Sequence, residues 1–346
     1  MNVWLVRAGA HGEYEQKFIQ EERVYVTWEA LDVDLAELKE REDLASALAE
    51  RYEDANPNTI RNWVSQVWRF AKDITVGDLV VVPLKTQRTI QIGQVVGDYQ
   101  FEKDGPDPFF HWRAVKWVGE SIPRDHFGQD LLYSFGAFLT ICRIHRHNAV
   151  ARIEAMMANG WKPESLASVV RSTRPDMESD DGPENSDLEA IADDQIARVI
   201  SARFKGHNLS RLVDAILRAQ GYTTRLSPEG ADGGVDILAG AGPLGFGSPR
   251  LCVEVKSEST PIGRPAVDKL MGAIKKFQAD QGLFVSWSGF RSNVSRELAS
   301  SFFHVRLWSQ KDLLEALFEV YDDLEEELKA ELPLKQIWTV TPKSEG

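Results

Sequence analysis

The chain has 346 residues, 43% of them hydrophobic, with 53 acidic against 40 basic side chains and a net charge of −13. That length accommodates two domains with separate cores. No run of about 18 apolar residues exists, which excludes a helical membrane span. Only Cys142 and Cys252 are present, too few for a disulfide framework or a four-cysteine zinc site. Met1 to Arg7 reads as a strand rather than a secretory leader, so a cytoplasmic protein is expected.

In chain order, residues 1–170 form the first expected domain, α+β in class. Val3–Val6, Val24–Trp28, Leu79–Pro83, Ile90–Val96 and Phe110–Val118 read as strands, and helices are expected at Leu35–Tyr52 and Thr59–Phe70. A Gly77-Asp78 turn enters the Leu79 strand, and Ile92-Gly93-Gln94-Val95-Val96-Gly97-Asp98-Tyr99 follows as a return strand. This phrase resembles the PUA/EVE-type small β-barrel, in which a preceding helix carries aromatics beside a ligand pocket. The resemblance implies a module that receives a modified or flipped base, or a small nucleotide.

Six of the ten tryptophans, Trp4, Trp28, Trp63, Trp68, Trp112 and Trp117, fall in residues 1–150. Stacking between rings is how an extruded base is held. Trp63 and Trp68, on the helix before the Gly77-Asp78 turn, are the candidate pocket residues, with Asn62 and Arg61 as polar contacts. The competing role for any one tryptophan is plain core packing. Cys142, His145 and His147 lack a fourth ligand nearby and do not make a zinc site.

Residues 171–195 are acidic and nearly free of aromatics, the composition of a linker. The second domain spans 196–332, ending in a helix that runs to about Leu332 before Pro333, and 333–346 is a tail. Charge divides unevenly along the chain. Residues 196–310 carry 15 basic and 9 acidic side chains, whereas the rest of the chain is acidic. A local positive excess suits a surface that tracks phosphates.

The chemistry is concentrated in Gly233-Gly234-Val235-Asp236-Ile237 and Leu251-Cys252-Val253-Glu254-Val255-Lys256-Ser257. Strand alternation sends Val253 and Val255 to one face and Glu254 and Lys256 to the other. Two carboxylates and an ammonium at one sheet rim suit metal-assisted phosphodiester hydrolysis: the acids hold a hard divalent cation and the lysine acts on the attacking water. Glu-x-Lys by itself is also a common pattern on a wet strand face. Gly242 to Gly247 is Gly-rich without the Gly-Lys-Ser/Thr of a P-loop, and reads as part of a connection from Ala239 to Pro249 between the two strands.

Residues 196–318 are similar to the Mrr-type branch of the PD-(D/E)xK nucleases. The matching pieces are Leu209 to Leu217 closed by Gln220-Gly221-Tyr222, then Gly234 to Ile237, Val253 to Lys256, a helix from about Pro265 to Gln278, Gly282 to Ser286 leading to Gly289-Phe290, and Val305 to Trp308 with Asp312 to Leu314. The resemblance implies an α/β restriction-endonuclease-like mixed sheet with flanking helices. It also implies Mg²⁺-dependent DNA cleavage, with Mn²⁺ able to substitute, and a preference for modified DNA. It assigns Asp236 and Glu254 to metal binding, the Val255 carbonyl as a further ligand, and Lys256 to the water. The family's first-helix glutamate falls on Ser210, which supplies no charge; Asp214, one turn on, is the alternative acid. Arg264 and Lys269, on the following helix, are candidate phosphate contacts, and Lys275 and Lys276 are weaker ones.

These readings converge on a modification-dependent DNA endonuclease of the restriction or defence kind, acting on double-stranded DNA as a homodimer. A nuclease switched on by a small nucleotide messenger and a non-cutting DNA-binding protein are the alternatives.

Overall fold

The computed structural model describes residues 1–137, 139–164, 188–230, 234–258, 260–291, 294 and 301–338. The chain divides into two units, at Asp194/Gln195. The part of the expected linker from 171 to 187 lies outside the described residues, and so does the tail from 339. Residues from Leu188 onward are helical, to Arg203.

The N-terminal unit is built on one sheet. Its strands are β1 (Val3–Val6), β2 (Arg23–Val26), β3 (Leu79–Leu84), β4 (Thr89–Val95), β5 (Gln100–Phe101), β6 (His111–Trp117), β7 (Ile122–Pro123) and β8 (Ile141–Ile144). The order is β2-β6-β4-β3-β1-β8, with β5 on β6 and β7 on β4. β1 and β3 run parallel and the other pairs antiparallel. The sheet curls as a half-barrel, with β2 and β8 at its two ends.

The continuous apolar run of β3 is buried on both sides, as a central strand requires. Val80 and Val82 face a core shared with helix α3 (Pro57–Lys72), while Leu79 and Val81 face α4 (Gln129–Phe135) and α5 (Ala149–Ala158). Asn56 caps α3, its side chain accepting from the Asn58 and Thr59 amides. Helices α1 (Glu15–Glu21) and α2 (Arg41–Arg51) complete this half. The sequence predicts one helix from Leu35, but the structure begins it at Arg41.

Buried polar groups hold the turns. Asp78 accepts from the Asn2 amide at 2.7 Å, the Trp4 indole at 2.9 Å and the Thr75 amide at 3.1 Å. Burial pushes its carboxyl up, but those donors outweigh it and leave the group below its usual range. Arg113 donates to the carbonyls of Phe70 and Ala71, satisfying the last turn of α3.

Helix α6 (Leu188–Arg203) spans the Asp194/Gln195 division, and the C-terminal unit continues with α7 (His207–Ala219), β9 (Tyr222–Leu226), β10 (Ile237–Ala241), β11 (Gly247–Lys256), α8 (Arg264–Phe277), β12 (Gln281–Ser286), β13 (Val305–Trp308), α9 (Gln310–Val320) and α10 (Glu326–Glu331). Five strands order as β13-β12-β11-β10-β9. The β9-β10-β11 part is antiparallel and the β11-β12-β13 part parallel, a mixed sheet. Val253, Val255, Leu283 and Val285 pack with α7 and α9 on one face; Cys252 and Phe284 pack with Val267 and Leu270 of α8 on the other.

Two expectations change here. The β10–β11 connection is tighter than Ala239 to Pro249, because Gly242 (φ +80°) and Gly245 (φ +71°) turn the chain within five residues. The C-terminal helix does not run unbroken to Leu332. It gives way to a 3-10 turn at Tyr321–Asp323 and extended backbone at Leu324 before α10. Asp322 and Asp323 oppose the negative end of α9, and Leu324 turns inward to a buried site.

Candidate active site

Asp236 directly precedes β10. Gly234 (φ +88°) makes the turn, and Val235 buries its side chain in the α8-side core. The Asp236 amide donates to the Val253 carbonyl at 2.9 Å, and its own carbonyl accepts from the Ser227 amide at 2.8 Å. The backbone is thus clamped between the ends of β9 and β11. The register Ile237↔Val253 then brings the Asp236 carboxylate onto β11, where Oδ2 accepts from the Val255 amide at 2.7 Å.

One residue to either side, Glu254 and Lys256 project from β11 on the face opposite Val253 and Val255. Lys256 Nζ lies 2.8 Å from Glu254 Oε1, with the two side chains 32% and 17% exposed. Desolvation alone would lower the Lys256 ammonium. The hydrogen bond to Glu254 and the charges of Glu254, Asp236 and Glu258 outweigh it and hold the group above its usual range. The structure therefore brings all three expected residues together at one end of β11.

The donor set fits a hard divalent cation. Asp236 and Glu254 offer carboxylate oxygens, and Val255 lies between Glu254 and Lys256 on the same strand. It is a lean set: among the described residues no three His, Cys, Asp or Glu converge on one point. Ser210 is buried on α7. Asp214 is turned to Arg218, whose Nε lies 3.1 Å from Asp214 Oδ2, and Arg218 also pairs with Glu325.

Three loops meet at the carboxyl ends of β11 and β12, where open α/β sheets bind ligands. The Trp287 amide donates to the Lys256 carbonyl at 2.9 Å, and the Gly206 amide donates to Ser257 Oγ at 2.9 Å. Ile262 donates to the Gly289 carbonyl, and Arg291 donates to the Ile262 carbonyl, both at 3.0 Å. This lattice sets Arg264 and Arg291 at the same rim.

Arg264 pairs with Asp268 at 2.8 Å, whereas Lys269 is exposed. Lys275 and Lys276 fall in the last turn of α8, at the opposite end of the helix from Arg264. Arg291 is exposed, and among the described residues its backbone bonds to Ile262 and Val294. Sequence reasoning missed it, because only the Ile262↔Phe290 bridge carries that loop to the rim.

The expected N-terminal pocket is not assembled at Trp63 and Trp68. Five residues apart on a helix, they diverge by roughly 140°. Trp63 is buried against Tyr52, ring centroids 4.8 Å apart, and Trp68 is half-buried under Lys72. The exposed Asn62 accepts from the Gln66 side chain, which in turn accepts from the Thr140 and Ile141 amides. Core packing, driven by the strong amphipathicity of α3, decides the place of Trp63.

Comparison with known proteins bears on both units. Residues 201–317 match the family Mrr_cat, described as restriction endonuclease, and residues 4–131 match a domain of unknown function (DUF8426). An uncharacterized protein, y4cE, of Sinorhizobium fredii (strain NBRC 101917 / NGR234) is 28% identical over 115 residues. That match spans 33% of this chain and 29% of the relative, so less than a third of the relative's length is matched.

Two solved structures are similar at low superposition. One is the DNA modification-dependent restriction endonuclease AspBHI (TM-score 0.33, 18% identity, 74% of this chain and 67% of that one). The other is MspJI restriction endonuclease in complex with a 27-mer oligonucleotide (TM-score 0.32, 12% identity, 95% and 79%). The C-terminal unit carries a restriction endonuclease domain. Among the described residues no helix is long and apolar enough to cross a membrane.

Proposed function

We propose that this chain is a modification-dependent endonuclease that cuts double-stranded DNA with its C-terminal unit under the control of its N-terminal unit. The observation that carries the nuclease reading is the convergence of Asp236, Glu254 and Lys256 on one end of β11, inside the segment that matches a restriction endonuclease family. The control reading rests on the N-terminal unit having its own sheet and cores, apart from the cutting machinery.

Asp236 and Glu254 would hold a Mg²⁺ or Mn²⁺ ion, with the Val255 carbonyl as a third donor. When bound, the ion supplies Lewis acidity and a more acidic water. Lys256, whose Nζ lies 2.8 Å from Glu254, would orient the attacking water and offset negative charge growing on the phosphate. Lys269 and Arg291 are the phosphate contacts, and Arg264 joins them when DNA competes with Asp268. One site cuts one strand, so double-strand cleavage requires two copies, most simply a two-fold dimer.

The deciding experiment is a cleavage panel on modified and unmodified duplexes, with Mg²⁺, with Mn²⁺ and with a chelator. Metal-dependent cutting confined to modified DNA is expected. Cutting of plain DNA only after addition of a free small nucleotide would replace the base-sensing reading with a messenger-controlled one. Tight binding without cutting in either metal would overturn the nuclease.

A further inference from the structure

We propose that the cavity between α1, β2 and the loop after β5 is a nucleotide site, taking an amino-bearing nucleobase together with its phosphate; this deepens the reading of the N-terminal unit as the controlling module. The cavity measures about 380 Å³. That is within the roughly 300–1,000 Å³ of small-molecule sites. Its lining combines the three chemistries a nucleotide needs: aromatic rings, cations and a carboxylate acceptor.

The rings are held rigid. Phe109 meets Tyr25 at 5.2 Å and Tyr14 at 5.0 Å, both edge to face, so a loop residue is fixed by two neighbours. Tyr25 is buried, and its hydroxyl donates to the Glu21 carboxylate. Pro106 adds a further apolar surface. A base entering here stacks on the Phe109 ring without ordering a flexible wall.

The charges are graded. Glu21 is engaged by Tyr25 and by Lys17, whose Nζ lies 2.6 Å away, and that ammonium sits 4.7 Å from the Phe109 centroid. Arg23 lies 3.7 Å over the Trp112 ring, a plane that holds the guanidinium at the cavity wall. Lys17 and Arg23 thus stand ready for a phosphate, Lys17 exchanging the ring face for the anion. Glu102 differs from Glu21. It is exposed, and its hydrogen bonds run through its backbone, to Gly105 and Phe110. Its carboxylate is an acceptor suited to the exocyclic amino group of cytosine or adenine. Thymine presents a carbonyl where that amino group stands, so the site discriminates against it.

The test is calorimetric titration of the full-length protein with dCMP, dAMP and dTMP, and with a duplex carrying one mismatched, readily extruded cytosine. Selective cleavage of modified DNA is measured in parallel. Binding of the amino-bearing nucleotides over dTMP is expected, free or as the extruded base; the free and duplex arms show which source the site prefers. Phe109→Ala should weaken binding about 5- to 150-fold. Glu102→Gln, a change of an exposed side chain that leaves the fold intact, should abolish the preference over dTMP. Trp68→Ala should change neither. No binding by the wild type, or affinities within about twofold in both cavity variants, overturns the cavity assignment. If selective cleavage persists in those variants, the controlling role of the unit stands while the cavity falls. If the nucleotides bind but the wild type cuts without selectivity, the cavity stands and the modification-dependent reading falls.

Discussion

Asp236 does two jobs that substitution separates. Its Oδ2 accepts from the part-buried Val255 amide at 2.7 Å, and its charge forms half of the carboxylate pair. Asp236→Ala removes the acceptor and leaves that N–H unsatisfied, which costs about 1–3 kcal/mol. At roughly 3 °C per kcal/mol for a unit of this size, the C-terminal melting transition should fall by about 3–9 °C. Asp236→Asn keeps a carbonyl oxygen for Val255 while discarding the charge, so its melting temperature should stay within about 3 °C of wild type. Cleavage should respond differently. On the proposed role, loss of a metal-holding carboxylate would cost several kcal/mol, so both variants should cut at least about a thousandfold more slowly. Differential scanning calorimetry and single-turnover cleavage with saturating Mg²⁺ read the two effects independently. An asparagine variant that cuts within about threefold of wild type would refute the catalytic role, however stable it proves. An alanine variant with unchanged stability would refute the structural one.

Other expectations follow from particular contacts. Arg291→Ala should lower the slope of log affinity against log salt by about 0.9, one phosphate's worth, while Arg264→Ala, already paired with Asp268, should lower it less; an unchanged slope removes Arg291 from the DNA surface. Burial holds the His111 imidazole down at about 4, against 6.5 for the free group. Between these values the unfolded chain binds a proton that the folded chain refuses, so the N-terminal unit should lose about 3 kcal/mol of stability from pH 6.5 to pH 4. Hydrogen exchange of the β3 amides measures this, and a His111→Phe variant should flatten the profile. At Gly240, an added Cβ would come 2.0 Å from the Gly245 carbonyl oxygen. Gly240→Ala should therefore force the β10–β11 turn open at a cost of about 1–3 kcal/mol, seen as a lower denaturation midpoint; an unchanged midpoint shows the turn to be free to shift.

Local pattern sufficed where the physics is local. Alternation in Leu251 to Lys256 separates the apolar from the charged face before any fold is known, because successive strand side chains must point opposite ways. Short apolar or alternating runs located β1, β3, β4 and β6 to within a residue or two, and the amphipathic spacing of Val267, Leu270 and Ile274 located α8. Glycine and acidic spacing marked the chemistry, and the ordered series of pieces from Leu209 to Leu314 marked the nuclease domain.

Tertiary structure decided whatever depends on register or on what lies across a helix. Asp236 reaches the Val255 amide because β10 pairs with β11 at Ile237↔Val253, a choice between strands distant in the chain. Asp214 carries the charge that Ser210 lacks, yet it is drawn to Arg218 on the next turn of α7. Trp63 has the composition of a ligand-stacking residue, but α3 buries that face, and burial of a large ring outweighs its use at the surface. Arg291 and Phe109, the ring partner of Tyr25, belong to no periodic pattern. Loop closures place them, and the free energy of those closures resides in contacts between segments that the linear order keeps apart.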